Sequence, residues 1–224
     1  SFKEAYKSIA DGGWVGISGD VKYGGLGLPL IVTTCVNELL SSACLSLALN
    51  PLMTQGQIDA LESHANEDIK NIFLPKLNSG EWSGTMNLTE PQAGSDVGAL
   101  RTLALKDHDG TYKITGQKIY ISWGDHSLSS NICHLLLARL PNSPKGTKGI
   151  SLFLVPKYIP DQNGNINEVN SINTISLEHK MGLHGSPTAV LEYKNAKAWL
   201  IGEENKGMMA MFTMMNNARL GVAV

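Results

Sequence analysis

The chain has 224 residues, of which 42% are hydrophobic and 17% charged, so it holds enough apolar material for one globular domain or two small ones. Its 18 basic and 20 acidic residues leave a formal net charge of −2, which argues against binding to nucleic acid or to a membrane surface through bulk charge. No apolar run reaches the roughly 18 residues of a membrane span, and three cysteines without CxxC spacing disfavour a disulfide framework or a zinc site and suit a reducing, cytoplasmic compartment.

Residues 1–81 carry the periodicity of α-helices. One apolar face at helical spacing consists of Val36, Leu39, Leu40, Ala43 and Leu47. Residues 23–29, just before it, are rich in glycine and proline and are predicted to form a loop.

A second helix is predicted after Asn66, which has the side chain of an N-cap residue. Glu67 and Asp68 occupy its first turn, where the helix dipole favours acids. Its buried face is predicted to consist of Ile69, Ile72 and Phe73. Pro75 is expected to limit its end, because proline lacks a backbone N–H.

From about Trp82 the pattern changes to the alternation of β-strands, with Leu103 and Leu105 before an Asp-Gly turn at residues 107–110 and Tyr112 and Ile114 after it. Further along we predict a second reversal at Thr115–Lys118, strands over Ile132–Leu140, Ile150–Val155 and Pro187–Tyr193, an exposed polar excursion over Asp161–Asn173, and a helix resuming near Glu203. Helices, then short antiparallel strands, then a helix predict an α+β fold and not a βαβ one.

The densest group of polar residues lies at Met86–Asp96, around a proline turn. Its hydroxyl and small residues expose donors that can receive a pyrophosphate or a ring carbonyl. The simpler interpretation is a plain turn followed by a helix cap at Ser95 or Asp96. Neither a GxGxxG nor a Walker A sequence is present, so a bound nucleotide would be held by another device.

Other side chains of chemical interest favour structural interpretations. His126, His134, His179 and His184 lack metal-binding spacing, and no metal site is predicted. Met208, Met209, Met211, Met214 and Met215 indicate either a flexible core face or a seam against a further domain. Cys35, Cys44 and Cys133 are expected to be buried as small apolar groups.

Four segments of the chain carry a common resemblance. Thr89–Asp96, with the sequence TEPQAGSD, is similar to the TEPxAGSD signature of the flavin-dependent acyl-CoA dehydrogenases. Gly116–Gly124 resembles the companion GxK motif of that family, and Lys180–Thr188 and Gly202–Gly207 fit it in the same order. The run Ser176–Lys180 and the asparagine-rich insertion resemble the larger bacterial members. The resemblance covers essentially the whole chain.

This resemblance implies the central part of such an enzyme. Residues 1–81 would belong to an N-terminal α-helical domain, residues 82–200 would form a middle antiparallel β-barrel domain, and residues 201–224 would begin a C-terminal helical domain. FAD is the implied cofactor, an acyl-CoA the substrate, an electron-transfer flavoprotein the acceptor, and a homodimer or homotetramer the assembly. The implied reaction is α,β-dehydrogenation of the thioester, as in fatty acid β-oxidation. The alternatives are an acyl-CoA oxidase, a relative with a DNA-binding helical extension, and a structural β module.

The resemblance also implies roles for individual residues at the flavin. It puts Met86, Leu88 and Thr89 along the pyrimidine edge of the ring, held through backbone amides and the Thr89 hydroxyl. Tyr120 takes the aromatic place that packs on the ring, and Ser122 takes the hydroxyl place near flavin N5. Trp123 stands where many members have asparagine.

At the substrate, the resemblance puts Ser95 beside the FAD pyrophosphate or the thioester. Ser186 and Thr188 match the loop that touches the adenosine end of CoA. For the acidic residues Glu90 and Asp96 we expect the simpler roles of turn formation and helix capping.

No catalytic base is assigned within the chain. One branch of the family carries its glutamate immediately before an arginine, but here Ala218 precedes Arg219. The glutamate is therefore expected in the C-terminal domain. Because the chain starts with Ser1 and its last residues read as an interrupted helix, we expect a piece of a longer protein that is not a competent enzyme alone.

Overall fold

Helices occupy both ends of the chain and strands its middle, in the order that the sequence predicts. The computed structural model describes residues 1–223. Its helices are α1 (Phe2–Asp11), α2 (Leu30–His64), α3 (Glu67–Asn78) and α4 (Gly207–Val222). Its strands are β1 (Trp82–Asn87), β2 (Leu103–Lys106), β3 (Tyr112–Ser122), β4 (Asn131–Arg139), β5 (Ile150–Pro156), β6 (Tyr158–Pro160), β7 (Ile166–Val169), β8 (Ile172–Leu177) and β9 (Thr188–Ile201).

Within residues 1–223, the strands pair in a ring that closes the predicted barrel. β4 pairs with β2, β2 with β3, β3 with β9, β9 with β5, and β5 again with β4. Its interior holds fully buried apolar side chains such as Leu136 and Phe153. The α+β fold class is confirmed.

The prediction of antiparallel strands throughout is wrong for β1. This strand runs parallel to β4, with Trp82 beside Asn131 and Asn87 beside Leu136. β2 also meets β4 in parallel, at Leu103. Parallel neighbours need a long connection between them, and the passage through β2 and β3 supplies one between β1 and β4.

The predicted reversal at Thr115–Lys118 is also wrong. β3 continues as one strand along β9, with register shifts after Ile114 and after Lys118. Gly116 serves close packing, because a Cβ at this position would lie 2.4 Å from the hydroxyl oxygen of Thr102. The glycine that suggested a turn therefore lets Thr102 pack directly against β3.

The polar excursion at Asp161–Asn173 contains more regular structure than the sequence indicates. β6 and β7 form a hairpin whose second strand is exposed, and β8 pairs with β9. Asn170 is buried and donates to the carbonyl oxygens of Pro156 at 2.8 Å and Lys197 at 2.9 Å. The last strand, β9, extends to Ile201, so the final helix starts later than predicted.

α2 carries the apolar face seen in the sequence, but its first half turns that face outward. Leu39 is 71% exposed, whereas Asn37 is buried and donates to Oε1 of Gln55 at 2.9 Å. The helix is interrupted at Cys44, whose φ of −162° and ψ of 93° are extended. Beyond Leu47 most side chains are buried, where the helix packs against β1 and α4.

α2 is also long and apolar enough to cross a membrane. Its best 18-residue window has a mean hydropathy of 1.5, and 17% of that window is buried. Length and composition alone are weak evidence for a span, because the core helix of a soluble protein passes the same test. The absence of a membrane span stays a prediction.

α3 joins the helices to the barrel. Asn66 caps it as predicted, its side chain accepting from the Ile69 N–H at 2.9 Å. Pro75 does not end the helix, which continues to Asn78. Phe73 packs edge-to-face on Trp82 of β1 and Trp199 of β9, with ring centroids 5.5 and 5.7 Å away.

α4 lies against β5 and α2. Met211 and Met214 are fully buried and belong to the core face of the helix. Met209 is 59% exposed and lies on its solvent side. Gly207 begins the helix where a Cβ would lie 2.3 Å from the carbonyl carbon of Ser151. The absence of a side chain at Gly207 therefore sets how closely α4 approaches β5.

We expect Gly207→Ala to lower the free energy of unfolding by about 1–3 kcal/mol, the usual cost of overpacking. The added methyl group would meet backbone atoms of β5, which cannot rotate away. Gly182→Ala is the matched control, since a Cβ at Gly182 meets no atom within 4 Å. Urea unfolding compares the two, and equal midpoints would contradict the close contact of α4 with β5.

Candidate functional site

A cleft between α2, the barrel and α4 gathers five of the residues predicted to contact a flavin. Its larger lobe, of about 500 Å³, is lined by Leu49, Met53, Met86, Ser122, Met215, Ala218, Arg219, Val222 and Ala223. Its smaller lobe, of about 140 Å³, is lined by Met53, Met86, Leu88, Thr89, Tyr120, Ile121 and Ser122. We call the two lobes together the α2–α4 cleft. Met86, Leu88, Thr89, Tyr120 and Ser122 therefore meet here, although they come from β1, the loop after it and the end of β3.

The end of β3 shapes the smaller lobe. Tyr120 has a φ of +60°, in the left-handed region, and lies where the register shifts between Lys118 and Ile121. A bulge of this kind re-aims side chains, and Tyr120 is 60% exposed at the rim.

Trp123 is buried next to this bulge. Its indole Nε1 donates to the carbonyl oxygen of Ser46 on α2 at 3.1 Å, and its N–H donates to the carbonyl oxygen of Pro187 at 2.7 Å. The indole ties the end of β3 to α2, which gives a structural reason for tryptophan where the resemblance has asparagine.

Donors on the smaller lobe are available to a ligand. The hydroxyls of Thr89 and Ser122 make no hydrogen bond with residues 1–223, and neither does the Thr89 N–H. The Thr89 carbonyl is already used, since it accepts from the Ile119 N–H at 2.9 Å. Unpaired donors beside an aromatic face suit the polar edge of a flavin ring. The residues present fit that group.

The residues predicted to contact substrate lie outside the cleft lining. Ser95 is exposed on the loop after β1. Ser186 is buried, and its carbonyl oxygen accepts from Nζ of Lys180 at 2.5 Å. Thr188 is buried opposite Ser122 in the β3–β9 ladder. Their roles stay predictions.

The capping interpretation of Asp96 is wrong in the described structure. Asp96 precedes a short 3₁₀ turn at Val97–Ala99, but its side chain makes no capping hydrogen bond. The turn interpretation of Glu90 holds for its backbone, which exchanges hydrogen bonds with Ala93 at 3.0 and 3.1 Å.

An ion pair that sequence reasoning missed lies behind the cleft. Glu90 is 3% exposed and Lys118 is fully buried, with Nζ 2.8 Å from Oε1. Burial opposes charge on Glu90, but the Lys118 charge and hydrogen bonds from Lys118, Thr102 and Arg101 lower its pKa to about 2. Burial lowers the pKa of Lys118 to about 8 against the opposing effect of Glu90, so both groups are charged at neutral pH. Both residues stand in the quoted motifs, but no sequence pattern links positions 28 apart.

His126 and His134 are largely buried but are not arranged for metal binding. Burial lowers the pKa of His126 to about 4 and that of His134 to about 3, so both are neutral at pH 7. Nδ1 of His134 lies 2.7 Å from the Thr85 hydroxyl. Across residues 1–223, no group of three or more His, Cys, Asp and Glu side chains is placed to hold a metal ion.

The cleft lining offers a cation but not a carboxylate. Among the described residues that line either lobe, none is Asp or Glu. Arg219 is the charged member, and its guanidinium lies 5.5 Å from the ring centroid of Phe212. A reaction that needs a carboxylate base in this cleft would have to take that carboxylate from a residue outside this lining.

Models of one enzyme family match most of the chain. The model described as the N-terminal domain of acyl-CoA dehydrogenase matches residues 1–81, and that described as the middle domain matches residues 85–196. The 3-methylmercaptopropionyl-CoA dehydrogenase of Ruegeria pomeroyi is 49% identical over 223 residues, which are 100% of this chain and 38% of that relative. The chain therefore spans less than half the length of this curated relative.

Solved structures share the fold. Butyryl-CoA dehydrogenase from Megasphaera elsdenii matches with a TM-score of 0.85 and 28% identity, over 98% of this chain and 55% of that one. An acyl-CoA dehydrogenase from Bacillus anthracis in complex with FAD matches with a TM-score of 0.81 and 26% identity, over 98% of this chain and 36% of that one.

Proposed function

We propose, because this chain belongs to the acyl-CoA dehydrogenase family, that it supplies the flavin-contacting part of an enzyme that dehydrogenates an acyl-CoA between its α and β carbons. Since the chain spans 38% of the relative from Ruegeria pomeroyi, the activity is proposed for a complete protein that contains it.

The observation that carries this proposal is the α2–α4 cleft, where two unpaired hydroxyls and the aromatic residue Tyr120 line the same lobe. We propose that Thr89, with the neighbouring backbone donors of Met86 and Leu88, holds the pyrimidine edge of FAD. Tyr120 would pack on the ring and the Ser122 hydroxyl would donate near N5. When bound, the flavin supplies the chemistry of hydride acceptance. These donors, fixed at the ring edge, would stabilise negative charge on the bound ring.

The larger lobe of the cleft suits the acyl chain. Leu49, Met53 and Met215 give it an apolar wall, and such walls bury a ligand while a few polar groups orient it. Excluding water would also strengthen the hydrogen bonds that the Thr89 and Ser122 hydroxyls donate to the bound ring. Arg219 is the positively charged residue among the described residues that line this lobe.

Removal of the α-proton needs a base within hydrogen-bond reach of it. Because no described residue of the lining is Asp or Glu, we propose that a glutamate from the C-terminal domain of the complete protein supplies it. Ala218 lines the larger lobe, but its methyl side chain carries no acid.

We also propose further features that no contact in the described structure tests. These are the domain bounds 1–81, 82–200 and 201–224, contacts of Ser95 with the pyrophosphate or thioester, contacts of Ser186 and Thr188 with the adenosine end of CoA, electron transfer to an electron-transfer flavoprotein, and a cytoplasmic homo-oligomer. The described thiols of Cys35, Cys44 and Cys133 are free, which suits a reducing compartment. The expectation that all three are buried is wrong for Cys35, which is exposed; Cys44 is half-buried and Cys133 is buried.

Activity is tested on the complete protein, purified with FAD and offered acyl-CoA thioesters of several chain lengths with a dye acceptor. Dye reduction that depends on the thioester is expected. Absence of both flavin retention and dye reduction would overturn the proposed function.

We expect Thr89→Val to weaken FAD binding by about 0.5–1.5 kcal/mol, the value of one neutral hydrogen bond. Valine keeps the shape of threonine and removes the hydroxyl. Thr115→Val is the matched control, because its hydroxyl is exposed and pairs with Asn195 at 3.2 Å instead of facing the cleft. Fluorescence titration measures both, and equal FAD affinities would remove Thr89 from the flavin site.

A further inference from the structure

Lys118 makes a second contact besides its ion pair with Glu90. Its Nζ also donates to the carbonyl oxygen of Leu88 at 2.9 Å. The next residue, Ile119, donates its N–H to the carbonyl oxygen of Thr89 at 2.9 Å. The two consecutive carbonyls of Leu88 and Thr89 therefore accept hydrogen bonds from β3. The Thr89 hydroxyl and N–H are unpaired among residues 1–223.

Glu90 fixes Lys118 in this position. Its Oε1 accepts from the Thr102 hydroxyl at 2.6 Å and the Thr102 N–H at 3.1 Å, and its Oε2 accepts from the Arg101 N–H at 2.6 Å. The carboxylate is thus held by the backbone on one side and holds Nζ of Lys118 on the other at 2.8 Å. Gly116 lets Thr102 approach closely enough for this arrangement.

The contact is specific in its chemistry. A methionine at position 118 would fill a similar volume in this fully buried site and would avoid the cost of burying an ammonium. It could not donate to the Leu88 carbonyl. The ammonium is what connects the interior of the barrel to the backbone of the cleft.

We propose that Lys118 is a positioning residue that, held by Glu90, fixes the Leu88–Thr89 backbone in the orientation that binds the flavin. This rests on the proposed function, because the flavin is the ligand to which the segment would be presented. Lys118 does not line the cleft and acts through Leu88.

The experiment uses the complete protein and compares Glu90→Gln with the double variant Glu90→Gln/Lys118→Met. Glutamine keeps an acceptor for Thr102 and leaves Lys118 able to reach Leu88. The double variant leaves no unpaired buried charge, so it is expected to fold, but it loses the donor to Leu88. The measurements are the dissociation constant of FAD, the flavin absorption spectrum and the flavin midpoint potential. Asn131→Leu is the structural control, because Asn131 is a buried hydrogen-bonding residue beside Trp82, at the far end of β1 from Met86.

The double variant is expected to bind FAD roughly tenfold more weakly than Glu90→Gln, the loss of about one good hydrogen bond. It is also expected to have a shifted spectrum and midpoint potential, whereas Asn131→Leu lowers the melting temperature and leaves both flavin properties unchanged. Equal FAD affinity and potential in the two Glu90 variants, or an equal shift in Asn131→Leu, would overturn the role of Lys118 and leave the proposed function intact. Failure of the unaltered protein to bind FAD would overturn the proposed function itself.

Discussion

Glu90→Ala is expected to destabilise the protein by about 3–5 kcal/mol, the cost of breaking a buried ion pair from one side. The substitution leaves the Lys118 ammonium in a fully buried site with the Leu88 carbonyl as its remaining partner. It also removes the acceptor of the Arg101 N–H and of the Thr102 hydroxyl and N–H. Buried donors without acceptors add to the loss.

The effect of Glu90 is expected to depend on pH. The pKa of Glu90 is lowered to about 2 in the folded protein, against about 4.3 for an unperturbed glutamate. The folded state therefore binds this proton less readily than the unfolded state, so the stabilisation is complete above the unfolded pKa. It is lost as the pH falls from about 4.3 to about 2.

Unfolding in urea at several pH values measures both effects. The unaltered protein should lose stability between pH 4.3 and pH 2 more steeply than Glu90→Ala, since the variant lacks the group that is protonated there. Glu168→Ala is the control, because Glu168 is an exposed residue of β7. Parallel pH profiles for the unaltered protein and Glu90→Ala would contradict the buried pair.

Phe73→Ala is expected to cost about 3–5 kcal/mol, the range for deleting a buried aromatic side chain. Phe73 is 1% exposed and packs edge-to-face on both Trp82 and Trp199. Those two indoles belong to different strands of the sheet, so the benzyl group joins α3 to β1 and β9 at once. Its removal leaves a cavity among rigid rings, which can collapse only in part.

Phe73→Leu separates volume from aromatic packing. Leucine fills much of the space but offers no ring edge, so a smaller loss is expected, including about 0.5–1.5 kcal/mol for each aromatic pair. Thermal unfolding followed by tryptophan fluorescence also reports the environment of Trp82 and Trp199. A Phe73→Ala variant with unchanged melting temperature and emission would show that α3 does not pack there.

The order of helices and strands could be predicted from the sequence because the signals are local. Asn66 caps α3 through a donor three residues away, and the alternation around the Asp-Gly turn produces β2 and β3. The cleft residues Met86, Leu88, Thr89, Tyr120 and Ser122 could be named because the family resemblance assigns roles to residues within, and just before, two short motifs. Glycine was a poor predictor of turns, because Gly116 serves close packing against Thr102 and does not reverse the chain.

The remaining features depend on contacts between residues far apart in the sequence. Whether β1 runs parallel or antiparallel to β4 is set by where the chain re-enters the sheet after β2 and β3, which no local pattern encodes. The apolar side chain of Leu39 is exposed and the amide of Asn37 is buried because Asn37 finds a partner in Gln55 beyond the break at Cys44. A charged residue such as Lys118 is expected at the surface by composition. It is buried here because the fold brings Glu90 and the Leu88 carbonyl within 3 Å of its ammonium, and only that geometry offsets the loss of water.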